Sequence, residues 1–181
     1  LDPEKVSDAL QAAIESRFDG TRATLTFPIW KTVTLGTFKD VKSLKRALEK
    51  NGFRIGNWAN DILGKSAFKL ASEETEMSLI HLTVAELGFP KGATLKEIYD
   101  RAKELGLELC PAEVGPQLRL QYGDQPASEW LTVAMEPITD SDCYPYLFDV
   151  DHDFDGRWLG THWGSPDDFW DDDSQFVFVG K

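Results

Sequence analysis

The chain has 181 residues, 41% of them hydrophobic and 12% aromatic, which is enough apolar material for one substantial core and predicts a single domain over residues 1–181. The formal net charge is −12, and the stretch 140–173 carries most of it, with eleven aspartates and one arginine. Such a charge repels phosphate backbones and argues against a nucleic-acid ligand at this end, and no apolar run is long enough to span a bilayer.

Helical patterns fill residues 1–106, and two extended segments interrupt them. The best helix is "GATLKEIYDRAKELG", because Thr94 and Glu97 form a capping-box pattern ahead of an apolar stripe. The other predicted elements of this region are helices over 3–17, in "KDVKSLKRALEKNG" and over 57–64, with strands in 22–36 and 77–87.

Residues 107–181 are rich in strand patterns. Short extended segments separated by turns are predicted near residues 118–122, 129–136, 145–150, 157–163 and 175–180. Helices first and strands afterwards predict an α+β fold with N-terminal helices and a mainly antiparallel sheet.

The N-terminal segment gives an expectation about location, and the two cysteines give one about disulfide bonding. Segment 1–18 is charged and amphipathic and lacks the apolar core of a signal peptide, so a cytoplasmic location is the default expectation.

Cys110 and Cys143 are too few for a disulfide scaffold. Both stand next to apolar or aromatic residues, so buried free thiols are expected, with a single bridge as the alternative.

The stretch "DVDHDFDGRWLG" begins like a calcium loop. Asp151, Asp153 and Asp155 occupy alternate ligand positions, and Gly156 follows where such loops turn. The closing ligand position is His162, which suits calcium poorly, and strand-like sequence flanks the loop, so a helix-loop-helix site is excluded. A non-helical calcium site and a solvated acidic turn are the two interpretations left, and calcium is the one cofactor the stretch suggests.

A transition metal offers a second chemistry. His152 and His162 with one carboxylate would suit zinc or iron, although the metal-binding spacings of paired histidines are absent. A hydrolase of this kind would take Glu113 as its base. The alternative is that Glu113 forms a buried ion pair with Arg119 that fixes the loop into the sheet.

Aromatic residues interleave with acids in segment 149–173, which contains three of the six tryptophans. Rigid aromatic side chains among polar groups are typical of a ligand-binding face, with partial packing into the core as the alternative. The predicted ligand-facing residues are His152, Phe154, Arg157, His162, Trp163, Asp167, Asp168, Phe169 and Trp170.

Two resemblances bear on this segment. The block "ELGFPKGATLKEIYDRAKELGLELCPAEVGPQLRLQYGDQPASEWLTVAMEPITDSD", with "GNWANDILGKSAF" upstream, resembles a family of uncharacterised bacterial proteins over most of the chain. The closing "RWLGTHWGSPDDFWDDDSQFVFV" resembles the variable proteins of diversity-generating retroelements, with a W-L-G strand, an aromatic and acidic loop and a final strand. This resemblance implies a C-type-lectin-like fold in the C-terminal half and a diversified ligand-binding surface.

These observations favour a non-enzymatic module that binds a protein or glycan ligand through segment 149–173. Two alternatives share the same residues. One is a metal-dependent hydrolase that uses the Asp/His cluster at 151–162, and the other is an acidic inhibitor or immunity-type protein that meets a basic partner.

Overall fold

A computed structural model describes residues 27–180, so the helix predicted over 3–17 lies outside the described residues. The helices and strands of that range are, in chain order, β1 Lys31–Leu35, α1 Val41–Lys50, β2 Arg54–Ile55, α2 Asn57–Leu63, β3 Thr75–Thr83, β4 Ala93–Thr94, α3 Leu95–Glu104, α4 Val114–Gln121, β5 Trp130–Val133, β6 Ile138–Thr139, β7 Pro145–Asp153, β8 Gly156–Trp163, β9 Phe169–Trp170 and β10 Gln175–Val179.

Eight of these strands form one sheet. Its order is β1-β3-β10-β5-β7-β8-β2, and β6 pairs with the start of β7. The neighbouring strands run antiparallel except for the pairs β10–β5 and β2–β8, and β4 pairs separately with β9. The predicted α+β class with a mainly antiparallel sheet is confirmed, and the buried apolar side chains of residues 27–180 form one cluster.

Three helix predictions are confirmed, at α1, α2 and α3, and the predicted cap of α3 is present. At α3, the Thr94 hydroxyl accepts from the Glu97 N–H, and the Glu97 carboxylate accepts from the Thr94 N–H, which completes the capping box. At α1, the Asp40 carboxylate accepts from the Ser43 N–H. These bonds satisfy backbone donors that the first helical turn leaves open.

The hairpin of β7 and β8 decides which side chains share a face. Asp149 lies opposite Gly160, and Asp151 lies opposite Trp158. Because the side-chain period of a strand is two, Asp149, Asp151 and Asp153 project from one face, which we call the acidic face. Phe148 and Val150, which alternate with these aspartates along β7, project from the other face. We call it the helix face, because α4 contacts β7 and β8 there.

Helix α4 corrects the prediction of a strand over 118–122. Its residues are buried on nearly all sides, so the sequence lacks the polar stripe that marks a surface helix. Pro116 stands in the first turn, where a missing N–H costs no hydrogen bond. A Cβ at Gly115 would lie 2.7 Å from the Cβ of Phe148, so only glycine lets the helix approach the sheet this closely.

The predicted ion pair between Glu113 and Arg119 is wrong, because each side chain has other partners. The Glu113 carboxylate accepts from the N–H groups of Gly36 (2.8 Å) and Ala71 (2.7 Å) and from the Gln117 amide (3.0 Å). It therefore ties two distant loops to the start of α4.

Arg119 serves the strand side of the same helix. Its guanidinium donates to the carbonyl oxygens of Asp151 (3.0 Å) and Tyr122 (2.7 Å) and to the Gln125 amide oxygen. The backbone of β7 is thus held from the helix face at the point where the acidic residues project on the other side.

The two thiols are both free, and their burial differs from the prediction. Cys110 is buried as expected, whereas Cys143 is exposed. Cys143 lies in the turn before β7 with φ +70°, and this turn carries its side chain away from the core.

We expect Glu113→Ala to lower the free energy of unfolding by about 2–4 kcal/mol, because it leaves two loop N–H groups and a buried amide without an acceptor. Urea unfolding measures the loss. The matched control is Glu49→Ala on the exposed side of α1, which should change stability by less than about 0.5 kcal/mol. Equal effects of the two substitutions would contradict the role given to Glu113.

Candidate ligand-binding surface

Four aromatic side chains form a contiguous stack at the end of the sheet where β7 begins and β8 ends. We call Trp58, Tyr144, Tyr146 and Trp163 the aromatic surface. The Tyr146 ring lies between two indoles, with ring centroids 5.7 Å from Trp58 (interplanar angle 18°) and 5.2 Å from Trp163 (25°). Tyr144 packs edge-on against Trp163, with centroids 5.6 Å apart.

The fold places these rings by strand register and by one short helix. Tyr146 and Trp163 lie directly opposite each other on β7 and β8, where cross-strand side chains touch, and α2 brings Trp58 alongside. The three outer rings are 47–55% exposed, whereas Tyr146 is only 3% exposed. The buried central ring therefore holds its half-exposed neighbours in place without a ligand.

The loop that carries Tyr144 is fixed by two aspartates. The Asp140 carboxylate accepts from the N–H groups of Asp142 and Tyr144, each at 2.9 Å. The Asp61 carboxylate, from α2, accepts from the Ser141 N–H at 2.7 Å. The Ser141 N–H, chiefly, holds the pKa of Asp61 below its usual range.

Acids also set the electrostatics around the stack. Burial, followed by the charge of Asp140 and then by Tyr144 and Asp142, raises the pKa of the Tyr146 phenol. The aromatic surface thus lies in a negative field, which disfavours an anionic ligand and favours a cationic one.

Of the predicted ligand-facing residues, Trp163 belongs to the aromatic surface, and three others lie at the far end of the hairpin. Phe154 stands almost fully exposed at the tip, and Arg157 follows it on β8. The His152 ring contacts the Gln125 carbonyl oxygen at 2.7 Å. An eight-residue strand separates the two ends by roughly 23 Å.

The remaining predicted residues surround β9. Trp170 is buried, with its ring centroid 4.1 Å from His162 and 4.7 Å from Phe176, so its prediction as a ligand-facing residue is wrong. Pairing of β9 with β4 turns this indole into the core. Phe169 is exposed beside it, so the predicted segment does not form one continuous face.

The two acids before β9 differ in role. The Asp168 carboxylate accepts from the Ser165 N–H at 2.7 Å, and its carbonyl oxygen accepts from the Leu95 N–H, so Asp168 fixes the loop to α3. Asp167 is exposed.

The stretch that resembled a calcium loop is a strand and a two-residue turn. Asp151 and Asp153 lie on β7, and Asp155 lies in the turn, where its N–H donates to Asp153 and its carboxylate is 4.0 Å from Arg54. Within residues 27–180, no group of three or more His, Cys, Asp and Glu side chains could hold a metal ion. His152 and His162 project from opposite faces of the hairpin, so they cannot share one.

Sequence reasoning missed Trp58, Tyr144 and Tyr146. The alternation of Tyr144 and Tyr146 in "CYPYLF" was a signal for two tyrosines on one side of an extended segment. Trp58 gave no such signal, because its place beside them depends on how α2 packs on the sheet.

Comparison of the chain with protein-family models, with curated proteins and with solved structures finds no match. The helices described between residues 27 and 180 include none with the length and apolarity to cross a membrane.

The acidic face holds two carboxyl groups with raised pKa values. Burial is the main cause at Asp149, and the neighbouring Asp151 charge adds to it. Burial also raises the pKa of Asp151 to about 7, against the opposing effect of Arg119. In the folded state this pair keeps protons that the unfolded chain releases, so its contribution to stability falls as the pH rises from about 4 through 7.

We therefore expect Asp149→Asn to raise the melting temperature at about pH 8, by roughly 2–4 °C for each kcal/mol gained, and to leave it almost unchanged near pH 4. Calorimetry at both pH values measures the difference. Asp167→Asn, at an exposed position, is the control and should have little effect at either pH. A gain from Asp149→Asn that is the same at both pH values would contradict the assigned shift.

Proposed function

We propose that this protein is a non-enzymatic binding module whose aromatic surface binds a basic segment of a protein partner. The observation that carries the proposal is the stack itself, in which three half-exposed rings are held by one buried ring inside the most acidic region of the chain. Stacks of this kind offer large, rigid contact area at a small cost in conformational entropy.

Charge selects the class of ligand. Lysine and arginine side chains gain from the faces of Trp and Tyr rings and from nearby carboxylates. Asp140 and Asp142 lie close enough to affect the Tyr146 phenol, and the net charge of −12 would steer a basic partner toward the protein. An inhibitor or immunity-type role is one biological use of such binding.

The hydrolase alternative has weaker support. The Glu113 carboxylate, the expected base, is occupied by three hydrogen bonds to loops and helix, and the two histidines lie on opposite faces. A general base must lie within hydrogen-bond reach of the proton that it removes, whereas the Glu113 carboxylate is engaged with groups of the fold itself.

The resemblance to variable proteins adds a finer proposal, that the C-terminal half is C-type-lectin-like and that some positions of segment 149–173 are diversified. The order of β8, an aromatic and acidic loop and β10 supports it. Substitutions concentrated at exposed positions such as Phe154, Trp163 and Phe169 among sibling copies of the gene would agree with this proposal. An even spread over the chain would contradict it.

The binding proposal is tested with deca-lysine and deca-arginine peptides, titrated against the wild type and variants by calorimetry. We expect Trp163→Ala and Trp58→Ala each to weaken binding at least tenfold. The matched control is Phe154→Ala, which removes an exposed ring at the far end of the hairpin and should leave affinity unchanged. Raising the ionic strength from about 0.01 M to about 0.15 M should also weaken binding, because the Debye length falls from about 30 Å to about 8 Å.

Two results would overturn the proposal. One is peptide binding that Phe154→Ala reduces as much as Trp163→Ala does. The other is a neutral oligosaccharide that binds independently of salt and loses affinity in Trp163→Ala, since this would make the aromatic surface a glycan site.

A further inference from the structure

Helix α3 borders two adjoining cavities. The larger, of about 420 Å³, lies between the second half of the helix and segment 106–109, and its volume is within the range of ligand pockets. The smaller, of about 230 Å³, is lined by the N-terminal turn of the helix and by Gly164. Tyr99, Asp100 and Glu136 border both cavities, which we call together the α3 groove.

One wall of the larger cavity is an extended main chain. Glu108 exchanges two N–H···O bonds with Val179 on β10, at 3.0 and 2.9 Å, and the Cys110 N–H donates to the Ala134 carbonyl oxygen at 2.6 Å. Alternate residues of an extended chain direct their N–H and C=O groups to opposite sides. Leu109, between Glu108 and Cys110, therefore directs its own pair away from β10.

This pair of Leu109 groups is an unused strand edge. Among the described residues, neither the N–H nor the C=O of Leu109 makes a hydrogen bond. The Leu107 N–H, two residues earlier, donates to the Ala102 carbonyl oxygen of α3 at 2.9 Å, so this edge faces α3 and the cavity. An unpaired edge is a ready template for a further extended chain.

Side chains close two comparable edges of the fold. On the edge strand β1, the Gln121 amide accepts from the Thr34 N–H (2.9 Å) and donates to the Thr34 carbonyl oxygen (2.8 Å). The Tyr99 hydroxyl likewise accepts from the Met135 N–H (3.1 Å) and donates to the Met135 carbonyl oxygen (2.9 Å). Such contacts prevent unwanted pairing. Leu109 has no such contact, so its edge stays open in front of the cavity.

The lining of the groove indicates which side chains a bound segment carries. Tyr99, Ala102 and Leu107 give the larger cavity an apolar wall. At the junction of the two cavities, Asp100 is paired with Lys96 at 2.6 Å, whereas Glu136 is exposed and makes no hydrogen bond or ion pair in the described part of the chain. An apolar side chain therefore fits the cavity, and a basic one complements Glu136.

We propose that the α3 groove binds an extended peptide segment of a partner protein, which adds a strand beside Leu109. The segment places an apolar side chain in the larger cavity and a basic side chain, two residues away on the same face of the strand, at Glu136. In this mode the main-chain hydrogen bonds supply affinity and the side-chain contacts supply specificity. The groove shares no residue with the aromatic surface.

The test titrates the ¹⁵N-labelled full chain with the capped pentapeptide Thr-Val-Thr-Lys-Thr at about 0.15 M salt, where the Debye length is about 8 Å. NMR follows the main-chain amide signal of Leu109, and calorimetry gives the affinity. We expect saturable binding that shifts the Leu109 signal. N-methylation of every peptide amide removes the main-chain donors and should weaken binding at least about tenfold. The peptide Thr-Val-Thr-Glu-Thr should also bind more weakly, at least about fivefold, because Glu136 repels it.

Two variants test the groove from the side of the protein. Glu136→Lys should weaken binding of the lysine peptide at least about tenfold, and Glu49→Lys, the same charge change on the exposed side of α1, is the control and should not. Leu109→Pro removes an N–H that has no internal partner and should also abolish strand addition. Circular dichroism reports whether each variant remains folded.

Three results would overturn the proposal. The first is an N-methylated peptide that binds as tightly as the unmodified one. The second is a peptide that saturates the protein without moving the Leu109 signal, for example by shifting only the Trp58 and Trp163 indoles, which would agree with the proposed function alone. The third is a Leu109 signal that moves when the protein alone is concentrated, because this would assign the groove to a second copy of the chain. Failure of the proposed function would instead appear in the deca-lysine titration.

Discussion

The antiparallel register of β7 and β8 is the constraint on which the other features depend. It sets Asp149 against Gly160, which makes room for a second carboxylate, and it sets Tyr146 against Trp163, which begins the aromatic stack. A slip of one residue would turn the acids toward α4 and Phe148 toward the opposite side. The buried carboxyl pair and the aromatic surface therefore require the same pairing.

Contacts from the helix face hold this pairing in place. Arg119 donates to the Asp151 carbonyl oxygen, and the Gln125 amide donates to the Val150 carbonyl oxygen at 2.8 Å. The β7 backbone is thus anchored from behind at Asp151, whose carboxyl group projects on the acidic face, and at Val150 before it. Burial of Asp149 opposes its ionisation, so this carboxyl group lowers stability once the pH is high enough to ionise it.

The sequence predicted an element correctly where its local residue pattern matches the environment of that element in the fold. The Thr94–Glu97 cap predicted α3 because capping depends on residues three apart. Helix α4 escaped detection because burial on all sides removes the polar stripe from which a helix is recognised. The remaining clue to this helix in the sequence was Pro116, because proline is tolerated in the first turn of a helix.

The site residues were harder to predict from the sequence than the helices were. Alternating aspartates match both a calcium loop and the period of a strand, and only the pairing partner decides between them. Trp163 was predicted from its exposed, acidic surroundings. Trp58 was not, because it joins the aromatic surface through α2, an element distant in sequence from β7 and β8.

The most direct test of the aromatic surface is an NMR titration that follows the indole N–H signals of the six tryptophans. A deca-lysine peptide at low concentration should shift the Trp58 and Trp163 signals and leave those of Trp130 and Trp158 in place. A response of Trp130 and Trp158 without Trp58 and Trp163, or no response from any indole, would contradict the account.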